Sequence, residues 1–113
     1  MGLLKNWLHK VLAFFSSRPS LLSVEIIKGD VFPKQVPKGR IVLLEDDGFY
    51  AVAFLCPCGC GESIELMVMD GVNPRWSIEI DKRGKPTLSP SIWRTAGCRS
   101  HFWVRHGQVV WCN

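Results

Sequence analysis

Five cysteines stand at positions 56, 58, 60, 98 and 112, and three of them fall within five residues. A secreted disulfide scaffold spreads its cysteines along the chain and has an even count. Clustered cysteines with no expected secretory signal point instead to a metal ion, zinc, in a reducing compartment, and so to a cytoplasmic protein. Pro57, Gly59 and Gly61 between the cysteines describe a tight loop rather than a packed strand.

A second half-site follows at Cys98-Arg99-Ser100-His101. In a regular strand residues 98 and 101 would point to opposite faces, so residues 97–101 must turn, which Gly97 permits. Zinc takes four ligands in a closed site. The set expected from this spacing is Cys56, Cys60, Cys98 and His101, with Cys58 as the alternate ligand. Cys112 is expected to be a free thiol.

Three chemistries are open to these residues. Glu62 directly follows the cysteine loop and is placed to hold a water at the metal, which would need an open coordination position. Ser91, in the Thr87-Leu88-Ser89-Pro90-Ser91-Ile92 run, is a candidate nucleophile with His101 as its base. The metal would then use Cys56, Cys58, Cys60 and Cys98, and a third, orienting carboxylate would come from Glu62 or Glu65. The third possibility is binding without catalysis. Trp93, Trp103, Trp111 and the C-terminal arginines would then meet an acidic protein or single-stranded nucleic acid.

The elements that must position these groups are mostly short β segments. Strands are expected at residues 22–28, 40–44, 49–55, 63–69, 75–80, 98–104 and 108–112, from apolar and β-branched runs bounded by turn residues. Hairpins are expected across Asp46-Asp47-Gly48, across residues 70–74 and across His106-Gly107. Residues 81–91, with Gly84, Pro86 and Pro90, read as a turn-rich connection. Leu3, Leu4, Trp7, Leu8, Val11, Leu12 and Phe15 recur at helical spacing and predict an amphipathic helix over residues 1–16, ended by Arg18-Pro19. Its apolar stripe suits docking on the domain or on another copy. Its basic flanks and Trp7 also suit peripheral membrane contact. The fold class expected is mainly β: a small antiparallel domain over residues 19–113, stapled by zinc, with a helical arm over residues 1–18.

Composition narrows the function classes. At 113 residues, 47% hydrophobic and 21% charged, the chain is one ordinary globular domain rather than a disordered segment. It lacks the roughly 20-residue apolar run of a transmembrane helix, and it lacks the glycine-rich turn of a dinucleotide or P-loop site. The net charge of +4 is uneven: residues 19–81 hold all ten acids, and residues 82–113 hold six bases and no acid. A basic C-terminal face of this kind can meet nucleic acid or an acidic protein surface.

Taken together, several motifs resemble one family of small bacterial and phage proteins. They are Cys56-Pro57-Cys58-Gly59-Cys60-Gly61, Arg75-Trp76, Pro86-Thr87-Leu88-Ser89-Pro90-Ser91-Ile92, Gly97-Cys98-Arg99-Ser100-His101-Phe102-Trp103 and Gly107-Gln108-Val109-Val110-Trp111. The resemblance covers roughly residues 40–112. It implies a setting beside bacterial ubiquitin-like proteins, E1-like adenylating enzymes and E2-like carriers. It also implies a metal-binding protein or a peptidase that trims or removes the ubiquitin-like tag. Variation within the family at the position of Cys58 supports Cys56 and Cys60 as ligands.

Overall fold

The computed structural model describes residues 23–112. The expected helix over residues 1–16, and the whole of the expected arm over residues 1–18, lie outside the described residues. Eight strands follow in order: β1 (Ser23–Lys28), β2 (Arg40–Glu45), β3 (Phe49–Leu55), β4 (Ser63–Met67), β5 (Ser77–Ile80), β6 (Pro86–Trp93), β7 (His101–Arg105) and β8 (Gln108–Trp111). They form two four-stranded sheets, β1-β2-β3-β4 and β5-β6-β7-β8, each in sequence order. No helix occurs among the described residues.

The mainly β expectation is met, with two differences in pairing. β1 runs parallel to β2, so the first sheet is mixed rather than wholly antiparallel. β4 and β5 do not form a hairpin: β4 pairs with β3 and β5 pairs with β6, so the connection at residues 68–76 passes from one sheet to the other. Proximity in sequence favours a hairpin there, but the apolar faces bury more surface when the chain changes sheets and closes a sandwich.

The core lies between the sheets. Ile41, Leu43, Val52, Phe54, Ile64 and Leu66 from the first sheet meet Leu88, Ile92, Phe102 and Val104 from the second. Phe54 and Phe102 cross the interface edge to face, with ring centroids 6.3 Å apart. Val42, Leu44, Ala51 and Ala53 alternate with the core positions and are buried as well, on the opposite face of β2 and β3.

β6 occupies the segment expected to be a connection. Pro86 opens the strand, and Pro90 falls in a bulge where Ser89, Pro90 and Ser91 together oppose Trp103 alone, between the Leu88–Val104 and Ile92–Phe102 pairs. Proline is tolerated at these two kinds of position because neither must donate to the ladder. The bulge also re-aims the local side chains, as bulges beside functional sites do. At the far end of β7, His106 and Gly107 both adopt positive φ (49° and 76°) and make the tight turn into β8.

Candidate active site and cysteine cluster

The cysteine loop joins β3 to β4. Its ends are tied by the Cys56 N–H donating to the Glu62 carbonyl (2.8 Å), and within it the Gly59 N–H donates to the Cys56 carbonyl (3.2 Å). Positive φ at Gly59 and Gly61 (90° and 84°) curls the chain back on itself. A second loop, between β6 and β7, supplies Cys98. It is closed by the Arg94 N–H donating to the Ser100 carbonyl (2.8 Å). Positive φ at Gly97 (68°) and Arg99 (55°) folds it toward the first loop. Gly97 also passes close to Glu62: an added Cβ would lie 3.3 Å from its carboxylate oxygen and push that side chain slightly, while the positive φ is what favours glycine here.

These loops bring the sulfurs of Cys56, Cys58, Cys60 and Cys98 within 4.8 Å of one another. Cys56 Sγ lies 3.3 Å from Cys58 Sγ and 3.6 Å from Cys98 Sγ. Four thiolates about 2.3 Å from a tetrahedral ion lie about 3.8 Å apart, so this donor set fits a metal ion. With four protein sulfurs such a site has no open position, the arrangement of a structural rather than a catalytic metal. Ser100, buried, places its hydroxyl 3.2 Å from Cys98 Sγ and 3.7 Å from Cys56 Sγ. Hydrogen bonds from the Ser100 hydroxyl and N–H are the main reason the Cys98 thiol is pulled down to about 6, which readies it as a thiolate ligand.

Arg94 links the cluster to Glu62. One terminal nitrogen donates to the sulfurs of Cys60 and Cys98, each at 3.7 Å, and the other pairs with the Glu62 carboxylate. The Glu62 hydrogen bond, above the other contributions, holds the guanidinium firmly charged. Glu62 therefore stands one side chain away from the sulfurs, with Arg94 between.

His101 is placed elsewhere. Its Nε2 is 3.0 Å from Ser91 Oγ, and the sulfur grouped with those of Cys56, Cys60 and Cys98 is that of Cys58. Ser91 belongs to the β6 bulge and His101 opens β7, so neighbouring strands supply the pair. The Trp93 indole stacks on the imidazole, with centroids 5.1 Å apart and planes 15° from parallel. The Trp76 indole N–H donates to the Ser91 carbonyl (3.4 Å) and fixes the backbone that carries the hydroxyl.

The two carboxylates considered as an orienting third group lie apart from this pair. Glu62 is engaged by Arg94, and Glu65 sits opposite Ala53 on the first sheet, on the face away from the inter-sheet core. Among the described residues no carboxylate is hydrogen-bonded to His101. The ring is held by the Ser91 hydroxyl and by Trp93.

The remaining sequence candidates are scattered. Trp103 lies beneath the Arg105 guanidinium, 4.7 Å from the ring centre. Trp111 packs edge-on against Phe102 at 5.5 Å. Cys112 is half-buried and outside the sulfur cluster. Sequence reasoning did not single out Arg94, Ser100 or Trp76 as contributors. Only the close Cys98-x-Ser100-His101 spacing hinted that one short loop serves both sites.

The family model described as bacterial ubiquitination-like system serine protease (BubE) matches residues 28–112. The chain belongs to the BubE family. The match takes in the whole cysteine loop, the β6 bulge and both members of the Ser91–His101 pair. No curated protein matches the chain, and no solved structure does.

Proposed function

We propose that this chain is a serine peptidase that trims or removes the tag of a bacterial ubiquitin-like modification system, with Ser91 as nucleophile and His101 as general base. The observation that carries the reading is the 3.0 Å contact between Ser91 Oγ and His101 Nε2 on an accessible face of the second sheet. The BubE family description supports the reaction class and the pathway.

The steps follow from that contact. Neutral His101 accepts the hydroxyl proton at Nε2 as Oγ attacks the carbonyl carbon, and it returns the proton to the leaving amine as the C–N bond breaks. Water then attacks the acyl-serine ester, with His101 again taking and returning the proton. Trp93 keeps the ring in plane, a task that a carboxylate performs in Ser-His-Asp sites. The nearby cysteines suit zinc by donor type, and a zinc ion there would staple the Cys98–His101 loop rather than enter the reaction. A thiolate cluster of this kind suits a reducing cytoplasm.

The test is cleavage of a ubiquitin-like fusion together with labelling by a fluorophosphonate, which reacts with activated serines. Wild type should cut and be labelled at Ser91, while Ser91→Ala should lose at least about 10⁴-fold in rate with its fold intact. A Ser91→Ala protein that still cuts at the wild-type rate would overturn the assignment.

A further inference from the structure

Among the described residues, no strand covers the edge of β6 beside the Ser91–His101 pair, where only the Trp76 side chain reaches the main chain. β5 pairs with β6 only from Pro86 to Ser89. Before Ser77 the chain leaves the second sheet for the first: the Trp76 N–H donates to the Met67 carbonyl (2.9 Å), and the Arg75 side chain donates to the Val68 carbonyl (3.4 Å). Among the described residues, residues 90–93 of β6 therefore have no strand on that side.

The direction of their main-chain groups follows from the ladder. The Arg94 N–H donates to Ser100 and the Cys112 N–H donates to the His101 carbonyl. Those bonds make Trp93 and His101 a non-hydrogen-bonded antiparallel pair, in which each residue's N–H and C=O point away from the other. The Trp93 N–H and C=O thus face the open edge. Neither bonds to another main-chain group outside the regular ladder among the described residues. The neighbouring acceptor on that side, the Ser91 carbonyl, is already held by Trp76. Trp93 itself is 66% exposed.

From this placement, and resting on Ser91 as the nucleophile, we infer that the substrate binds as an added β-strand on the β6 edge, hydrogen-bonded to the main chain of Trp93. A strand added there runs about 4.8 Å from β6 and so passes directly alongside Ser91. The occupant this geometry takes is an extended peptide, such as the free tail that leads out of a folded domain. A helix, or a folded surface other than a sheet edge, has its own main-chain groups already paired and cannot supply the donor and acceptor that Trp93 requires. Recognition through main chain also leaves side-chain selectivity to the exposed Trp93 face.

The experiment uses the full chain with Ser91→Ala, so that bound peptide is not turned over. The probe is a synthetic decapeptide spanning the tail junction of the system's ubiquitin-like protein. Each peptide amide is replaced in turn by an ester, which removes one N–H. Only one substrate N–H can reach the Trp93 carbonyl, so one replacement should weaken Kd by about tenfold while its neighbours change it little. N-methylation at that same position should also weaken binding, and the Trp93 amide resonance should shift on titration. In wild type the same ester should act through KM rather than kcat. Equal effects at every position, an unmoved Trp93 amide in the bound state, or no peptide binding at millimolar concentration would overturn the proposal. Failure of the nucleophile assignment shows separately, as absence of fluorophosphonate label on Ser91.

Discussion

Trp93 and His101 lie directly opposite each other on β6 and β7, and their rings stack at 5.1 Å. The contact is possible because the pair is non-hydrogen-bonded, the register in which facing side chains come closest. It leaves His101 Nε2 aimed at Ser91 Oγ, 3.0 Å away. Replacing the indole by a methyl group frees the ring to turn. Trp93→Ala should lower kcat by roughly 10- to 100-fold with little change in melting temperature, since Trp93 is largely exposed. Trp93→Phe should keep most of the activity. Steady-state kinetics beside a thermal melt checks both.

Metal content separates the roles of the cysteines and His101. Purified protein should hold about one zinc per chain by elemental analysis, and chelation should loosen or unfold it. His101→Ala should keep the metal and lose cleavage, because its ring faces Ser91. Cys58→Ser should lose metal affinity, because its sulfur is 3.3 Å from that of Cys56 within the cluster.

Glu62 and Arg94 form an outer layer on the cluster. Glu62→Gln removes the charge that holds Arg94 toward the sulfurs of Cys60 and Cys98. Loss of an outer partner of this kind should weaken metal affinity by about 10- to 100-fold. With zinc in excess, cleavage by the variant should return close to the wild-type rate. Competition against a zinc-binding dye measures the first effect and a fusion-cleavage assay the second.

Asp81 ties the two turns at one end of the second sheet. It accepts from the N–H groups of Arg83 and Lys85 and pairs with His106 Nδ1 at 3.0 Å. The Lys85 N–H is the largest influence holding its carboxyl below the ordinary value of 3.8, with His106 and the Arg83 N–H adding to it. A depressed folded value means that the contribution to stability is complete above the unfolded value and is lost as pH falls through the folded one. Wild type should therefore be more stable than Asp81→Asn at pH 6, and the two should converge in strong acid. Denaturant melts across that range check the trend.

Phe102 couples the core to the site, since it follows His101 in β7 and crosses to Phe54 between the sheets. Both rings are fully buried. Phe54→Ala should cost about 3–5 kcal/mol in a denaturant titration.

Much of this protein is legible in its residues alone. Local spacing determined the cysteine loop, because Cys56-Pro57-Cys58-Gly59-Cys60-Gly61 can only curl and present sulfur. Apolar and β-branched runs determined the strands, apart from β6, and His106-Gly107 determined its turn. Tertiary structure decided the rest. Pro86 and Pro90 signal turns locally, yet the sheet absorbs one at a strand start and the other in a bulge, and that bulge carries Ser91. The Cys98-x-x-His101 spacing favoured His101 among the sulfurs, with a place beside Ser91 as the alternative, and its ring instead faces Ser91. The positive φ values at Gly97 and Arg99 settle its direction by turning Cys98 back to the cluster before His101 enters β7. Pairing between distant strands sets such directions, and the free energy that selects it comes from burying both sheets' apolar faces against each other, which no short stretch of sequence contains.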